Sequence, residues 1–211
     1  MKDRAVSFLS GSISLEGILT IPEGTSPLPA VVICHPHPLY GGSMDNNVVC
    51  AVSEALAQVS LASLRFNFRG VGGSQGAFGH GIGEGEDVQA AISYASAVTE
   101  IDTNRIGLAG YSAGVGFALP IAVNDERIKA VTAISLPLSM FDPDPLRNCT
   151  KPKFLIIGSN DHLTSTDQFF EFCQAIPEPQ EYQIVKGADH FWQGYESALA
   201  VRVAAFFART L

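Results

Sequence analysis

Charged side chains are scarce in this sequence, and basic ones are the scarcer kind. Only 16% of its 211 residues are charged while 46% are hydrophobic, so the composition excludes a disordered chain and predicts a buried core. The 13 basic and 21 acidic side chains give a net charge of −8. A protein that binds a nucleic-acid backbone needs a basic face, and anionic membranes also attract basic segments. We therefore expect neither nucleic acid nor a membrane as a partner.

Long apolar runs and cysteine pairs are missing as well. No stretch approaches the roughly 18 apolar residues of a membrane-spanning helix, and residues 5–9 are too few for the hydrophobic region of a signal peptide. The cysteines number 4 and are scattered, without the spacing of a metal site. We predict a cytoplasmic protein with reduced thiols, with neither a metal nor an organic cofactor. The length predicts a single domain over residues 1–211.

Short apolar runs alternate with longer segments of helical pattern along the chain. Strands are predicted over residues 5–9, 13–21, 30–34, 64–68, 105–109, 130–134, 154–157 and 181–185. Helices are predicted over residues 47–59, 84–97, 112–123, 165–175 and 196–208. Gly11 lies between the first two strands, which favours a hairpin. Because the later strands alternate with helices, they form βαβ units, and we predict an α/β fold with a mostly parallel sheet.

The clearest chemical motif is Gly-Tyr-Ser-Ala-Gly at residues 110–114, which fits G-x-S-x-G. A predicted strand precedes it and a predicted helix follows it, which is the context of a nucleophile elbow. In such an elbow a tight turn exposes the serine hydroxyl, and the following helix directs amide donors at a developing oxyanion. We interpret Ser112 as a nucleophile rather than as part of an ordinary glycine-rich turn.

A nucleophilic serine needs a base, and the base needs an acid that orients it. His190 lies just after the strand predicted at residues 181–185, and Asp161 lies just after the strand predicted at 154–157. The carboxyl ends of parallel strands meet at one edge of a sheet, where binding sites gather. We therefore predict that Ser112, Asp161 and His190 form a catalytic triad.

Three other carboxylates compete for the role of the orienting acid. Asp189 adjoins His190 in sequence, and neighbouring side chains in an extended segment or loop diverge, so it is a poor candidate. Asp142 and Asp144 follow the strand predicted at residues 130–134. They too follow a strand of the predicted parallel sheet, so these two residues stay open as alternatives.

The sequence resembles the α/β-hydrolase superfamily, in which nucleophile, acid and base follow in this order. Within it, the chain looks like a small bacterial group of predicted α/β-hydrolases related to dienelactone hydrolases and serine-peptidase-like hydrolases. The resemblance is carried by His-Pro-His-Pro-Leu-Tyr-Gly-Gly-Ser-Met-Asp-Asn at 35–46, Phe-Asn-Phe-Arg-Gly-Val-Gly at 66–72, the Ser112 elbow, and residues 187–191. Dienelactone hydrolases have a cysteine at the elbow, so their lactone substrate is not carried over.

The resemblance implies a doubly wound, mostly parallel, eight-stranded sheet with an N-terminal antiparallel hairpin. It implies no cap domain, because residues 136–152 offer room for only a flap or a short helix. It also implies an oxyanion donor after the strand at 30–34. Since Pro36 and Pro38 have no N–H, the backbone amide of His37 is the expected partner of the amide of Ala113.

The implied activity is the hydrolysis of small carboxylic esters or thioesters through an acyl-enzyme on Ser112. Side chains near these residues in sequence predict an open, partly apolar cleft. They are Leu39, Tyr40, Tyr111, Met140, Phe191 and Trp192. Two alternatives stay open: a catalytically silent binding module on the same fold, and a peptidase or amidase with the same triad. A homodimer also stays open.

Overall fold

A computed structural model describes residues 1–24 and 26–211. The strands are β1 (Lys2–Ser10), β2 (Ile13–Ile21), β3 (Leu28–Cys34), β4 (Ala62–Phe66), β5 (Ile101–Tyr111), β6 (Ile128–Ile134), β7 (Lys153–Gly158) and β8 (Gln180–Val185). The helices are α1 (Asn47–Gln58), α2 (Ile82–Ala97), α3 (Ala113–Asn124), α4 (Asp144–Arg147), α5 (Thr166–Ala175) and α6 (Glu196–Thr210), with a 3₁₀ turn at Pro38–Tyr40. The predicted strands and helices are all present, with ends that differ by a few residues.

The strands form one eight-stranded sheet in the order β1-β2-β4-β3-β5-β6-β7-β8. β1 and β2 form an antiparallel hairpin, paired from Lys2 opposite Ile21 to Ser10 opposite Ile13, and β2 is also antiparallel to β4. All other neighbouring strands, from β4 and β3 across the sheet to β8, pair in parallel. The predicted mostly parallel sheet with an N-terminal hairpin is confirmed.

Helices cover both faces of the sheet. α1 and α6 pack together on one face, above buried side chains that include Val31 and Ile33. α2, α3 and α5 cover the other face, where Val32 and Leu108 are buried. Because successive side chains of a strand point to opposite faces, a strand covered on both sides is apolar throughout. Within the described ranges, no helix combines the length and hydropathy needed to cross a membrane.

The connection between β6 and β7 lies against the body of the protein. Residues 135–152 are all described, and they contain a single helix, the four-residue α4. Leu146 of α4 is fully buried in the core beside α3. The segment therefore forms no separate layer above the sheet, and the expected fold without a cap domain is confirmed.

β4 ends at Phe66, two residues before the predicted end of the strand. The N–H of Phe68 donates to Nε2 of His35 at 3.1 Å, and the side chain of Asn67 accepts from the N–H of Met44 at 2.7 Å. These contacts tie both residues to the loop after β3, while the backbone N–H of Asn67 still donates to the carbonyl of Glu16 in β2 at 3.0 Å. The chain leaves the sheet here and turns over its edge, toward the site described below.

Candidate active site

Ser112 lies at the turn between β5 and α3, with φ 53° and ψ −122°. Residues with a side chain rarely adopt positive φ, so this conformation has to be held by its surroundings. A Cβ on Gly110 would lie 2.6 Å from Cα of Val115, and a Cβ on Gly114 would lie 2.5 Å from the carbonyl oxygen of Cys34. The two glycines thus let α3 begin close against the sheet, with its N-terminus beside the serine hydroxyl.

The three residues of the predicted triad meet at the carboxyl edge of the sheet. Oγ of Ser112 lies 2.9 Å from Nε2 of His190, and Nδ1 of His190 lies 2.8 Å from Oδ2 of Asp161. All three residues are buried. Ser112 follows β5, Asp161 follows β7 and His190 follows β8, so the parallel sheet brings together residues that are distant in sequence. The arrangement suits a nucleophile, a base and an orienting acid, and these catalytic roles stay predictions.

The carboxylate of Asp161 is held on both of its oxygens. Oδ1 accepts from the N–H of Leu163 at 2.9 Å and from the N–H of Thr164 at 3.4 Å, while Oδ2 faces His190. Burial raises the pKa of this carboxyl. The hydrogen bond from His190, the charge of its imidazolium form and the backbone N–H of Leu163 lower the pKa by more, so it lies below its ordinary value. Asp161 is therefore ionised at neutral pH, which is the state that an orienting acid requires.

Asp161 is the carboxylate that is hydrogen-bonded to His190 in the described part of the chain. Oδ1 of Asp189 instead accepts from the backbone N–H groups of residues 191 and 192 and thereby closes the following turn. Asp142 and Asp144 are exposed on the connection after β6, where Asp144 pairs with Arg147 at 3.1 Å. The geometry favours Asp161 over these alternatives as the orienting acid.

The N–H groups of the two predicted oxyanion donors have no partner within residues 1–24 and 26–211. The backbone N–H groups of His37 and Ala113 make no hydrogen bond to another described residue, and both residues line the same cleft as the serine. The carbonyl of His37 accepts from the N–H of Gly42 at 3.1 Å, which holds the loop in a tight turn. A Cβ on Gly42 would collide with the backbone of Pro36, so this turn requires glycine. Donors placed in this way suit a developing oxyanion.

His35 is fully buried beneath the oxyanion loop. Because its Nε2 accepts from the N–H of Phe68, its proton lies on Nδ1, 2.6 Å from the carbonyl oxygen of Pro36. Burial lowers the pKa of this imidazole to about 4, so the ring is neutral at neutral pH. His35 therefore links the loop after β3 to the chain that leaves β4.

A cleft of about 360 Å³ lies beside the serine. Four of the side chains predicted to line it do so, namely Tyr40, Tyr111, Met140 and Phe191. Tyr111 is buried and donates its hydroxyl to the backbone carbonyl of His190 at 2.8 Å, whereas the other three are exposed. Burial, with the nearby carboxylates, raises the pKa of Tyr111 above its ordinary value. The hydroxyl therefore keeps its proton and positions the backbone of the candidate base.

The prediction that Leu39 and Trp192 line the cleft is corrected by the structure. Trp192 is 0% exposed in the core beneath α6, and its Nε1 donates to Oγ of Ser135 at 3.1 Å. Leu39 is 65% exposed and lies outside the cleft lining. Neighbouring side chains in a turn diverge, so Tyr40 and Phe191 face the cleft while Leu39 and Trp192 point elsewhere.

The cleft is also lined by residues that the sequence does not predict there, among them Pro137, Phe141 and Leu163. Phe141 packs directly over Gly116 of α3, where any Cβ would collide with its ring. The available signal was the apolar character of the 136–152 segment. That signal does not say which side chain meets α3, because the contact joins two elements that are distant in sequence.

Among residues 1–24 and 26–211, no three His, Cys, Asp or Glu side chains are grouped as a metal ion would require. All four cysteines are free thiols, and Cys34, Cys149 and Cys173 are buried. Burial raises the pKa of the Cys34 thiol and raises that of Cys173 to about 12, so both stay protonated and unreactive.

The mostly parallel sheet with a serine elbow after β5 is the fold of the α/β serine hydrolases. More narrowly, the chain belongs to the S15 peptidase family. The family model described as X-Pro dipeptidyl-peptidase matches residues 11–148. The matched range contains Ser112 and the oxyanion loop, and it stops before Asp161 and His190.

The chain is also similar to individual proteins and solved structures. An uncharacterised protein of Rickettsia prowazekii (strain Madrid E) is 35% identical over 180 residues, which cover 81% of this chain and 75% of that protein. The structure of an α/β serine hydrolase homologue from Coxiella burnetii is 31% identical, has a TM-score of 0.88 and covers 97% of both chains. A serine hydrolase without a lid from Xanthomonas campestris is 24% identical, with a TM-score of 0.84 over 100% of this chain and 96% of that one, and at this identity it shows the fold alone.

Proposed function

We propose that this protein hydrolyses carboxylic esters through an acyl-enzyme on Ser112. The observation that carries the proposal is the relay from Oγ of Ser112 through both nitrogens of His190 to Oδ2 of Asp161, with distances of 2.9 and 2.8 Å. The backbone N–H groups of His37 and Ala113, without a partner among the described residues, add donors on the same cleft. A nucleophile, its base and an oxyanion site are the parts that acyl transfer needs.

In the first half-reaction, Oγ of Ser112 attacks the ester carbonyl carbon while Nε2 of His190 takes the serine proton. The carbonyl oxygen becomes an oxyanion and accepts from the N–H groups of His37 and Ala113. The bond to the alcohol oxygen then breaks, and His190 returns the proton to that oxygen. The ionised carboxylate of Asp161 stabilises the imidazolium throughout.

The second half-reaction repeats these steps with water. His190 removes a proton from a water molecule, whose oxygen attacks the acyl carbon. The acyl–serine bond breaks, and the proton returns to Oγ of Ser112. Removal of one oxyanion donor typically costs about 10²–10³-fold in kcat, so the two backbone amides supply a large part of the expected rate.

The size and character of the cleft support small esters and thioesters. Its volume is about 360 Å³, and apolar side chains such as Met140, Phe141 and Leu163 form much of its wall. Such walls hold acyl and alcohol groups by the hydrophobic effect, which needs no charged partner. Thioesters present the same carbonyl carbon to Ser112, so they fit the same mechanism.

The family description favours peptide-bond hydrolysis as a second candidate. A peptidase that binds a free N-terminal amine needs a carboxylate near the nucleophile, because a buried ammonium group has to be paired. Neither Asp nor Glu is among the described residues that line the cleft, although Glu86 and Asp142 line a cavity beside it. We therefore place ester hydrolysis first and peptide-bond hydrolysis second.

A fluorophosphonate probe tests the nucleophile directly. Wild-type protein should be labelled on Ser112, and Ser112→Ala should not be labelled. Wild type should also hydrolyse p-nitrophenyl acetate and butyrate much faster than glycyl-prolyl-p-nitroanilide, with the alanine variant reduced to background on all three. Circular dichroism of both proteins shows that any difference does not come from unfolding.

Two results would contradict the proposal. Folded wild-type protein that neither reacts with the probe nor hydrolyses any ester would favour a binding module that has kept the hydrolase fold. A higher kcat/KM for the anilide than for the esters would make peptide-bond hydrolysis the function.

A further inference from the structure

A second cavity, of about 660 Å³, adjoins the cleft beside Ser112. It lies between the start of α2, the middle of α3 and the connection after β6. His37, Met140 and Phe141 line both cavities, so the two are neighbours that share one wall. We call this second cavity the α2–α3 groove, and its residues used below are Phe78, Ile82, Gly85, Phe117 and Ile121.

Much of the wall of the α2–α3 groove is apolar, and its polar lining residues include His80, Glu86, Gln89 and Asp142. Phe78 and Phe117 stand against the ring of His37, at centroid distances of 5.0 and 6.2 Å. Ile82, in the first turn of α2, is 79% exposed at the groove although it is a large aliphatic side chain. Gly85 adds no side chain where α2 faces α3, which leaves the space open. A ligand that covers these apolar surfaces gains the free energy of removing them from water.

The stereochemistry of acyl transfer decides which part of an ester points toward the groove. The alcohol oxygen has to lie near Nε2 of His190 to receive its proton, so the alcohol half occupies the side of Leu163 and Phe191. The acyl half then occupies the rest of the cleft, whose lining includes Met140 and Phe141. Those two side chains belong to the wall that is shared with the α2–α3 groove.

We propose that the α2–α3 groove binds the distal part of the acyl group of the substrate. This inference rests on the proposed ester hydrolysis and extends its range from small acids to acids with an apolar or aromatic tail. Each methylene that enters the groove should raise kcat/KM by about fourfold, as expected for burial of one methylene. The gain should begin where the acyl chain becomes longer than the cleft beside Ser112 and should level off when the groove is full.

The experiment measures kcat/KM of the full chain on p-nitrophenyl acetate, butyrate, octanoate and 4-phenylbutyrate. The readout is the kcat/KM of each longer ester divided by the kcat/KM of the acetate, because this ratio does not depend on the amount of active enzyme. Wild type should show ratios of at least tenfold for octanoate and 4-phenylbutyrate. Gly85→Leu fills the groove and should lower both ratios to near one, whereas Gly85→Ala should retain most of the gain, because its Cβ would meet Ile121 at an ordinary 3.8 Å.

A second pair of variants covers the case in which Gly85→Leu fails to fold. Ile82→Asp places a charge at the exposed end of the groove and should lower the octanoate ratio at least fivefold. Val201→Asp is its matched control, since Val201 is a 59% exposed aliphatic side chain on α6 and lies outside both cavity linings. The control should keep the wild-type ratios.

The outcomes separate the two proposals. If wild type hydrolyses acetate but gains nothing from longer acyl groups, or if the gain survives both groove variants, the groove proposal is overturned and ester hydrolysis stands. If folded wild type hydrolyses none of the four esters and escapes the fluorophosphonate probe, ester hydrolysis is overturned, and the groove proposal with it.

Discussion

Replacement of Asp161 by asparagine tests the proposed relay at its most constrained point. The two side chains have nearly the same shape, so the substitution changes hydrogen-bond character and charge without leaving a void. In an unconstrained site the new amide could turn its oxygen toward His190. Here Oδ1 accepts from the N–H groups of Leu163 and Thr164, and that position has to remain an acceptor. The amide nitrogen of Asp161→Asn therefore takes the place of Oδ2 and faces Nδ1 of His190.

An amide N–H that faces Nδ1 reverses the tautomer of the imidazole. His190 then carries its proton on Nε2, the atom that lies 2.9 Å from Oγ of Ser112. A protonated Nε2 cannot accept the serine proton, so the base is lost while the geometry stays intact. The corresponding replacement in serine proteases lowers kcat by about 10⁴-fold, which is roughly 5.4 kcal/mol. We expect a loss of this size, with KM changed less than about threefold, because Asp161 lies behind His190 and does not line the cleft.

The assay is p-nitrophenyl butyrate hydrolysis with kcat and KM determined separately, and circular dichroism confirms that each variant folds. Asp189→Asn is the matched control beside the site, because its Oδ1 position accepts backbone N–H groups and asparagine preserves that acceptor. Asp142→Asn is the control for the alternative acid. Both should stay within a few-fold of wild type. A kcat for Asp161→Asn within tenfold of wild type, or a large loss in Asp142→Asn, would refute the reasoning.

Three further predictions concern stability and specificity. The pKa of His35 is about 4 in the folded protein against an ordinary 6.5, so the unfolded chain binds the proton first as pH falls. Up to about 3 kcal/mol of the free energy of unfolding should therefore be lost between pH 6.5 and 4. In urea titrations, the free energy of unfolding of His35→Gln should depend less on pH than that of wild type. Gly114→Ala should lower the free energy of unfolding by about 3 kcal/mol or more, because its Cβ would meet the backbone of β3, whereas Gly85→Ala should not; equal Tm values for the two would contradict this. Trp192→Phe should lower the free energy of unfolding by about 1–3 kcal/mol in urea titrations and leave the ester preference unchanged. Tyr40→Ala should raise KM and lower the free energy of unfolding by less than about 0.5 kcal/mol. The reverse pattern would indicate that Trp192 lines the cleft.

Much of the fold could be predicted because its signals are local. Residues 30–34 read as a continuous apolar run, and β3 occupies Leu28–Cys34 because helices cover both faces of the sheet. The helix predicted at 47–59 is α1, and the side chain of Asn46 caps it by accepting from the N–H of Val48. The end of β4 was harder to predict. It depends on a hydrogen bond between Phe68 and His35, which are 33 residues apart.

The candidate triad could be predicted from order and position, since each of its residues comes just past a different strand. A parallel sheet brings such positions to one edge whatever the intervening loops contain. The cleft wall could not be predicted in the same way. Leu39 and Tyr40 are neighbours in one turn and have the same apolar character, yet the turn directs only Tyr40 into the cleft.

The residue types, their chain order and the strand–turn–helix context of Ser112 follow from the amino-acid sequence, because they depend on short patterns and on the geometry of parallel sheets. The tertiary structure then showed which open alternative for the acid lies against His190, namely Asp161, and it buried Trp192 in the core. It also set the α2–α3 groove beside the cleft. Each of these depends on contacts between elements far apart in the chain, where packing decides the direction of a side chain and local pattern carries no information about it.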